Sequence, residues 1–219
     1  MKAPVLAVCV CLGLAAPAAA QTGLRGYELS IGAVAMGAMP FGESDATFSR
    51  PNGSPLLVFN SDISLGLGPG AEVHFGRAVG PRLAFEATGT WTFTTIRAKV
   101  STDVDGAPGA TLTENLSRVS VEGSALWRLA GDTRRAFYLR GGVGWMRELA
   151  AGATLAETGV IGNVGAAMKY WWGASSSGQR RRLGLRLDGR AVLRSGGVDL
   201  GVSGVRLAPA ASADLMIGF

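Results

Sequence analysis

Apolar side chains alternate with polar or small ones along most of this chain. The clearest stretch is Leu83–Phe93, where every second residue is apolar except Gly89 and the residues between are mostly Thr and Glu. Neighbouring side chains point to opposite faces of a β-strand, so this pattern predicts strands with one apolar and one polar face. About eight such segments follow one another, which predicts an all-β protein.

The predicted connections are alternately long and short. The long loops are Met39–Asp62, Ile96–Thr111, Glu148–Thr158 and Ser195–Gly204, and the short turns are Ala78–Pro81, Gly131–Asp132 and Gly173–Arg181. Long external loops and short periplasmic turns are typical of outer-membrane barrels. The pattern therefore predicts an eight-stranded antiparallel up-and-down transmembrane β-barrel, with both termini in the periplasm because the strand number is even.

Aromatic residues of the predicted outer face fall near the strand ends. Such rings favour the membrane interface, so two aromatic girdles are expected. The girdle near the turns comprises Tyr27, Phe75, Phe85, Trp127, Phe137, Tyr170, Trp172 and Phe219, and the girdle near the loops comprises Trp91, Phe93 and Trp145.

Four stretches carry a resemblance to a known family: the Gly-rich second strand Ile63–Arg77, Gly80–Leu83, Leu187–Arg190 and Ile217–Phe219. With them, the chain resembles the small eight-stranded outer-membrane barrels, akin to the transmembrane domain of outer-membrane protein A. The resemblance implies that the last strand is read by the barrel-assembly machinery, through Leu215, Ile217 and Phe219. It also implies a barrel without the periplasmic domain of some relatives, since the sequence stops at Phe219.

The first residues are typical of a secretory signal peptide. Lys2 precedes the apolar run Val5–Leu14, and Ala18 and Ala20 form an A-x-A cleavage site before Gln21. We therefore expect a signal peptide over 1–20 and a barrel domain over 21–219. Both cysteines lie inside the signal, so no disulfide is expected in the mature chain.

The polar face of the predicted strands carries acids and bases in similar number. An eight-stranded barrel is narrow enough for side chains to fill it, and buried charges need partners. These residues predict an internal ion-pair network that plugs the barrel; the alternative is a narrow ion path. The set comprises Glu28, Glu72, His74, Glu86, Glu122, Arg128, Arg140, Lys169, Arg186, Asp188, Arg190 and Asp214, with Arg194 in the same phase.

Composition narrows the possible partners. Charged residues make up 17% of the chain, the net charge is +5 and the mean hydropathy is +0.26. The chain has no basic run with interleaved aromatics, so nucleic-acid binding is not expected. We expect a monomer among outer-membrane lipids, with turn arginines such as Arg180–Arg182 either simply solvated or holding anionic phospholipid headgroups.

Enzymatic function is not indicated. A lipid A-modifying barrel would need a Ser, a His and an acid close together, but the single histidine, His74, is predicted to face inward with no Ser two positions away. No spacing typical of a metal or cofactor site is present. The other alternative is a soluble, lipocalin-like ligand-binding barrel.

Overall fold

Ten strand segments form a closed antiparallel barrel with a two-stranded extension. The computed structural model describes residues 26–49, 55–101, 109–150, 156–172, 182–196 and 205–219. The predicted signal, including Ala18, Ala20 and Gln21, lies outside these residues. The strands are β1 (Tyr27–Met36), β2 (Met39–Ser49), β3 (Pro55–Leu65), β4 (Gly68–Ala78), β5 (Leu83–Ser101), β6 (Ala110–Gly131), β7 (Arg135–Ala150), β8 (Ala156–Trp172), β9 (Arg182–Gly196) and β10 (Arg206–Gly218).

Eight of these strands close a ring in chain order. The order is β1, β4, β5, β6, β7, β8, β9 and β10, and β10 pairs with β1 again. At the closure, the Tyr27 N–H donates to the Phe219 carbonyl oxygen at 2.8 Å and the Phe219 N–H donates to Tyr27 at 2.9 Å. The predicted all-β, eight-stranded up-and-down barrel is confirmed.

The predicted loop Met39–Asp62 is wrong over most of its length. It contains β2 and β3, which pair with each other, and β3 also pairs with β5 from Asn60 to Leu65. Pro and Gly suggested a loop, but the hairpin accommodates them through a register shift between Pro40 and Gly42 and by placing Pro55 at a strand start.

Two strand breaks at the same level of the wall separate the extension from the barrel. Gly37–Ala38 separates β1 from β2, and Gly66–Leu67 separates β3 from β4. Each break reverses the strand's phase, so Met36 and Met39 both face inward. Leu65, expected on the outer face, is only 3% exposed for the same reason.

The other predicted long loops are also shorter than expected. β5 continues to Ser101 and β6 begins at Ala110, so this pair extends well beyond the 9–11 residues that a membrane crossing needs. β7 continues to Ala150, β8 begins at Ala156 and β9 ends at Gly196. Strand pairing satisfies backbone N–H and C=O groups that a loop would leave to water. Composition alone does not reveal such pairing.

The barrel wall is apolar on the outside. Ile31, Val143 and Leu215 are 64%, 70% and 60% exposed, whereas the alternate positions are buried. This arrangement is that of a membrane barrel, and a lipocalin-like barrel would place its bulky apolar residues inside. Within the described ranges, no helix is long and apolar enough to cross a membrane.

The short turn between β6 and β7 is held by one carboxylate. Gly131 has a φ of 121°, a conformation that favours glycine, and Asp132 accepts hydrogen bonds from the N–H groups of Arg135 and Arg134 at 2.8 and 2.7 Å. These bonds, led by that of Arg135, lower the pKa of Asp132.

We expect close wall packing to make Gly32→Ala destabilising. A Cβ on Gly32 would lie 2.1 Å from the Ala213 carbonyl oxygen, whereas a Cβ on Gly189 would meet nothing within 4 Å. Overpacking costs roughly 1–3 kcal/mol, so Gly32→Ala should lower the urea midpoint of the refolded barrel, followed by tryptophan fluorescence. Gly189→Ala is the matched control; equal midpoints for the two variants would contradict this account.

Candidate functional site

Charged side chains from β4, β5, β7, β9 and β10 meet in the middle of the barrel. They face inward because they occupy alternate strand positions, such as 72 and 74 on β4 and 186, 188 and 190 on β9. Each is at most 6% exposed. We call this set the central cluster: Glu72, His74, Glu86, Arg140, Arg186, Asp188, Arg190 and Asp214.

Arg186 is at the centre of this cluster. It makes a two-point contact with Glu86, through Nη1 to Oε2 and through Nη2 to Oε1 at 2.9 Å. The same Nη2 lies 2.9 Å from Asp188 Oδ2, and Arg140 Nη1 donates to that oxygen at 2.8 Å. Charge-assisted, forked bonds of this kind are the strong ones, so they fix the orientation of all four side chains.

His74 and Arg190 complete the cluster. Arg190 Nη2 donates to Glu72 Oε2 at 2.6 Å. His74 Nε2 lies 2.8 Å from Glu72 Oε1, and its Nδ1 lies 3.1 Å from Glu86 Oε1 and 2.9 Å from the Thr88 hydroxyl. The imidazole therefore joins two carboxylates that each also bind an arginine.

The contacts of His74 bear on its protonation state. Its Nε2 lies near Glu72 and its Nδ1 near Glu86, so both ring nitrogens face carboxylate oxygens. A carboxylate oxygen only accepts hydrogen bonds and a neutral imidazole carries one N–H, so the imidazolium form alone can donate to both. The arrangement favours the imidazolium form.

Three members of the cluster have the spacing of metal ligands. Glu72, His74 and Asp214 each offer one ligand atom, and these atoms lie within 4.8 Å of one another. However, Arg190 is bonded to Glu72 and Arg186 Nε lies 4.0 Å from Asp214 Oδ2. Fixed guanidinium charges at these carboxylates oppose a further cation, so the arrangement suits an ion-pair network better than a metal centre.

A second group of charges lies towards the end of the barrel that carries the strand extensions. Glu148 accepts from Arg118 Nε at 2.8 Å and from Arg194 Nη2 at 2.5 Å. Beside this triad, buried apolar residues fill the lumen where the wall breaks: Met36, Met39, Leu65, Leu116, Val192, Ala208 and Ala210, here called the apolar plug. A cavity of about 10 Å³ lies between Arg118 and the plug residues Met36, Met39 and Leu65, enough for about one water.

The opposite end of the lumen, near Tyr27 and Phe219, is closed by a third group. Lys169 pairs with Glu28 and its ammonium lies 5.1 Å from the Tyr138 ring centroid. Next to Gly218 lies Trp171, which is 5% exposed, with the Arg182 guanidinium 4.7 Å from its ring. Arg180 and Arg181 lie outside the described residues.

The predicted interior residues and the observed contacts differ at a few positions. Glu122 is buried and bonds Asn163 at 2.5 Å, outside the central cluster. Arg128 is half-buried at the turn end and donates to the Asp132 carbonyl oxygen, not to a buried acid. Glu148, expected in a loop, is 0% exposed, and its partner Arg118 was missed although it continues the phase of Ser120.

The aromatic residues predicted for the girdles line the outer wall. Tyr27 stacks on Phe75 and Phe219, with centroids 5.5 and 6.2 Å apart, and the Arg77 guanidinium lies 5.2 Å from the Tyr27 ring. At the other end Trp91 and Phe93 are 4.9 Å apart. Tyr170 is half-buried under Arg135, and the others are exposed: Phe85, Trp127, Phe137, Trp145 and Trp172, together with Leu215 and Ile217 of the last strand.

Comparison with known proteins supports this fold. Neisserial surface protein A aligns with a TM-score of 0.50 at 14% identity, over 88% of this chain and 95% of that one. The outer membrane protein OprG from Pseudomonas aeruginosa aligns with a TM-score of 0.47 at 11% identity, over 90% and 96%. Ail from Yersinia pestis aligns with a TM-score of 0.36 at 11% identity, over 90% of this chain and 98% of that one. No family model and no curated protein matches the chain.

We expect Arg140→Ala and Glu86→Ala each to lower the free energy of unfolding by about 3–5 kcal/mol, because either deprives buried charges of one of their partners. Arg128→Ala is the matched control and should cost less than about 1 kcal/mol, since Arg128 is half-buried and bonds only a turn carbonyl. The measurement is urea unfolding in lipid vesicles. Equal, small losses in all three variants would show that the network does not stabilise the barrel.

Proposed function

We propose that this chain, which has the fold of the small outer-membrane β-barrels, works as a closed, non-enzymatic barrel in the bacterial outer membrane. Its role is exerted by the outer wall and the strand extensions, in envelope structure or surface contact, and not by a channel. The observation that carries the proposal is the filled lumen, which is occupied by ion pairs at three levels and by the apolar plug.

A continuous water path would have to pass all of these layers. Between the turn-end pair and the central cluster, the space lined by Glu28, His74, Glu86, Lys169 and Arg186 leaves about 0 Å³ of room for a water molecule. In the central cluster, guanidinium and carboxylate groups are in direct contact. Beyond this cluster, towards the strand extensions, lie the triad and the apolar plug. Opening a path requires separating buried ion pairs, at several kcal/mol each.

The orientation we propose follows from the two unlike ends of the barrel. One end holds Tyr27, Phe219 and the tight turns after Ala78 and Gly131, whereas the other continues into β2–β3 and the long β5–β6 pair. Outer-membrane barrels place short turns in the periplasm and long connections outside. Both termini would then be periplasmic, and the strand extensions would project from the cell surface.

The position of His74 supports a non-enzymatic role. It is the sole histidine of the sequence, it is 1% exposed, and its ring is held by Glu72, Glu86 and Thr88. A Ser–His–acid site at the lipid face needs a histidine that substrate can reach. Here the imidazole lies behind the barrel wall and is engaged in ion pairs.

The test of the closed barrel is electrical conductance. We expect the refolded mature protein to insert into planar bilayers at neutral pH without discrete current steps, because the lumen is filled. Insertion is verified independently by protection from protease, and a water-filled porin in the same membrane is the positive control. Reproducible steps from the inserted protein would refute the closed barrel in favour of a small pore.

The test of the non-enzymatic role is the mass of lipid A. Bacteria that express the chain should yield lipid A with the same mass spectrum as bacteria that express His74→Asn, which lacks the imidazole. Gain or loss of an acyl chain in the first strain alone would assign an enzymatic activity to this barrel.

A further inference from the structure

The end of the barrel that carries the tight turns is strongly basic. Apart from the Lys169–Glu28 pair, its described side chains include six arginines and one acid, Asp132. Every buried arginine of the lumen pairs with a carboxylate. Within the described ranges, by contrast, none of the six arginines at the turn end forms an ion pair: Arg77, Arg82, Arg128, Arg134, Arg135 and Arg182.

One carboxylate cannot balance this charge. Asp132 Oδ1 accepts hydrogen bonds from the backbone N–H groups of Arg134 and Arg135 at 2.7 and 2.8 Å, so it already holds the turn together. Six guanidinium groups against one carboxylate leave the turn end with an excess of positive charge. Such an excess attracts anionic partners and raises the rate at which they associate.

The loop end of the barrel does not show this excess. Lys99 on β5 lies opposite Asp62 on β3, so bases and acids are interspersed there. Outside the buried triad, the side chains that the structure describes at this end include three acids and four bases: Asp62, Glu114 and Glu157, and Arg97, Lys99, Arg147 and Arg206. The excess of bases is therefore a property of the turn end and not of the whole surface.

Two of the six arginines lie at the membrane interface. Arg77 and Arg135 both point outward, and their guanidinium groups lie 5.2 and 5.7 Å from the ring centroids of Tyr27 and Tyr170. Aromatic and basic side chains of this kind are usual at the level of lipid headgroups. The position of the membrane accounts for these two residues, and four arginines remain to be explained.

Arg128 and Arg182 lie on the lumen side of the wall. Arg128 shares the inward phase of Leu126, and Arg182 shares that of Gly184. The Arg182 guanidinium lies 4.7 Å from the ring centroid of Trp171, which closes the lumen. Both arginines are half-buried, so they line the mouth of the barrel at this end and do not face lipid.

The barrel holds these two guanidinium groups in place. Arg128 Nη2 donates to the Asp132 carbonyl oxygen at 2.8 Å, and Arg182 lies over the Trp171 ring. Tyr138, the cross-strand partner of Arg128, lies within electrostatic range of both guanidinium groups. A side chain that is already held in place loses less entropy on binding than a mobile one, which favours the binding of an anion here.

Arg82 and Arg134 extend the basic surface beyond the mouth of the barrel. Both are exposed and lie in the turns that follow β4 and β6. Because these turns are only a few residues long, the two side chains stay close to the membrane surface. We call Arg82, Arg128, Arg134 and Arg182 the turn-end mouth.

We propose that the turn-end mouth docks an acidic, extended segment of a periplasmic protein. One carboxylate of the segment binds near Arg128 and Arg182, and carboxylates on either side of it meet Arg82 and Arg134. Guanidinium groups bind carboxylates through paired, charge-assisted hydrogen bonds. Lipid headgroups surround the wall, whereas Arg128 and Arg182 face the barrel axis, which favours a partner from the aqueous space. Assigning that space to the periplasm rests on the orientation proposed above.

A short oligo-glutamate peptide is the probe for this surface. Fluorescence anisotropy of the labelled peptide with the refolded mature protein, in nanodiscs of phosphatidylcholine, should show saturable binding. The double variant Arg128→Gln, Arg182→Gln should bind about tenfold more weakly, because two half-buried cationic partners are lost. Arg82→Gln with Arg134→Gln, at exposed turn positions, should weaken binding by a smaller factor.

The matched control removes the same number of charges at the loop end. Arg97→Gln with Lys99→Gln should leave peptide binding unchanged, and all three double variants should unfold at the urea midpoint of the parent protein. Equal weakening in the loop-end control would show that the peptide responds to total charge only. That result, or unchanged binding in both turn-end variants, would overturn the docking surface.

A phospholipid headgroup is the other possible occupant of the turn-end mouth. Native mass spectrometry of the detergent-solubilised barrel with phosphatidylglycerol distinguishes the two. Phosphatidylglycerol retained equally by the parent protein and by Arg128→Gln, Arg182→Gln would agree with the peptide surface. Phosphatidylglycerol that is retained by the parent protein and lost in this double variant would assign the mouth to lipid and overturn the proposal.

The orientation is tested separately in whole cells. Thr113→Cys at the loop end should react with a large polyethylene glycol maleimide that cannot cross the outer membrane, and Thr133→Cys at the turn end should not. The reverse labelling would overturn the proposed orientation and the periplasmic source of the partner. Loss of specific peptide binding with the expected labelling would overturn the docking surface alone.

Discussion

The pairing of buried charges is the constraint on which this barrel depends. A ring of eight strands encloses a lumen that side chains can fill, and here arginines and carboxylates fill much of it. A guanidinium or carboxylate in that space is tolerated only with a partner in bonding geometry. Arg186 illustrates this, since it meets Glu86 from β5 and Asp188 from its own strand.

The inside and the outside of the wall are linked by strand geometry. Each strand that presents a charge inward presents an apolar residue outward at the next position, as with Asp214 and Leu215. A register slip of one residue would place charges against lipid and apolar residues in the lumen. The ion-pair network and the lipid-facing surface therefore require the same register.

The break at Gly37–Ala38 and Gly66–Leu67 changes what the lumen contains. On one side the strands continue the phase of the barrel, and on the other side the phase is reversed, so that Met39 and Leu65 join Met36 inside. The reversal therefore contributes two residues of the apolar plug. The same break leaves Leu67 on the outer wall, where it borders a groove that Phe93 and Leu149 also line. One local irregularity thus shapes both the lumen and the outer surface.

The sequence by itself determined the strand faces away from the break at Gly66–Leu67, because a period of two residues is a local property that neighbouring positions reveal. It did not determine that residues 39–49 and 55–65 pair as strands, because Pro, Gly and Ser in a hairpin have the composition of a loop. Nor did it determine the ion-pair partners. Glu86 and Arg186 are 100 residues apart, and Arg118 reaches Glu148 across the β6–β7 pair. Only ring closure and register bring such groups together, and these arise from pairing over the whole chain.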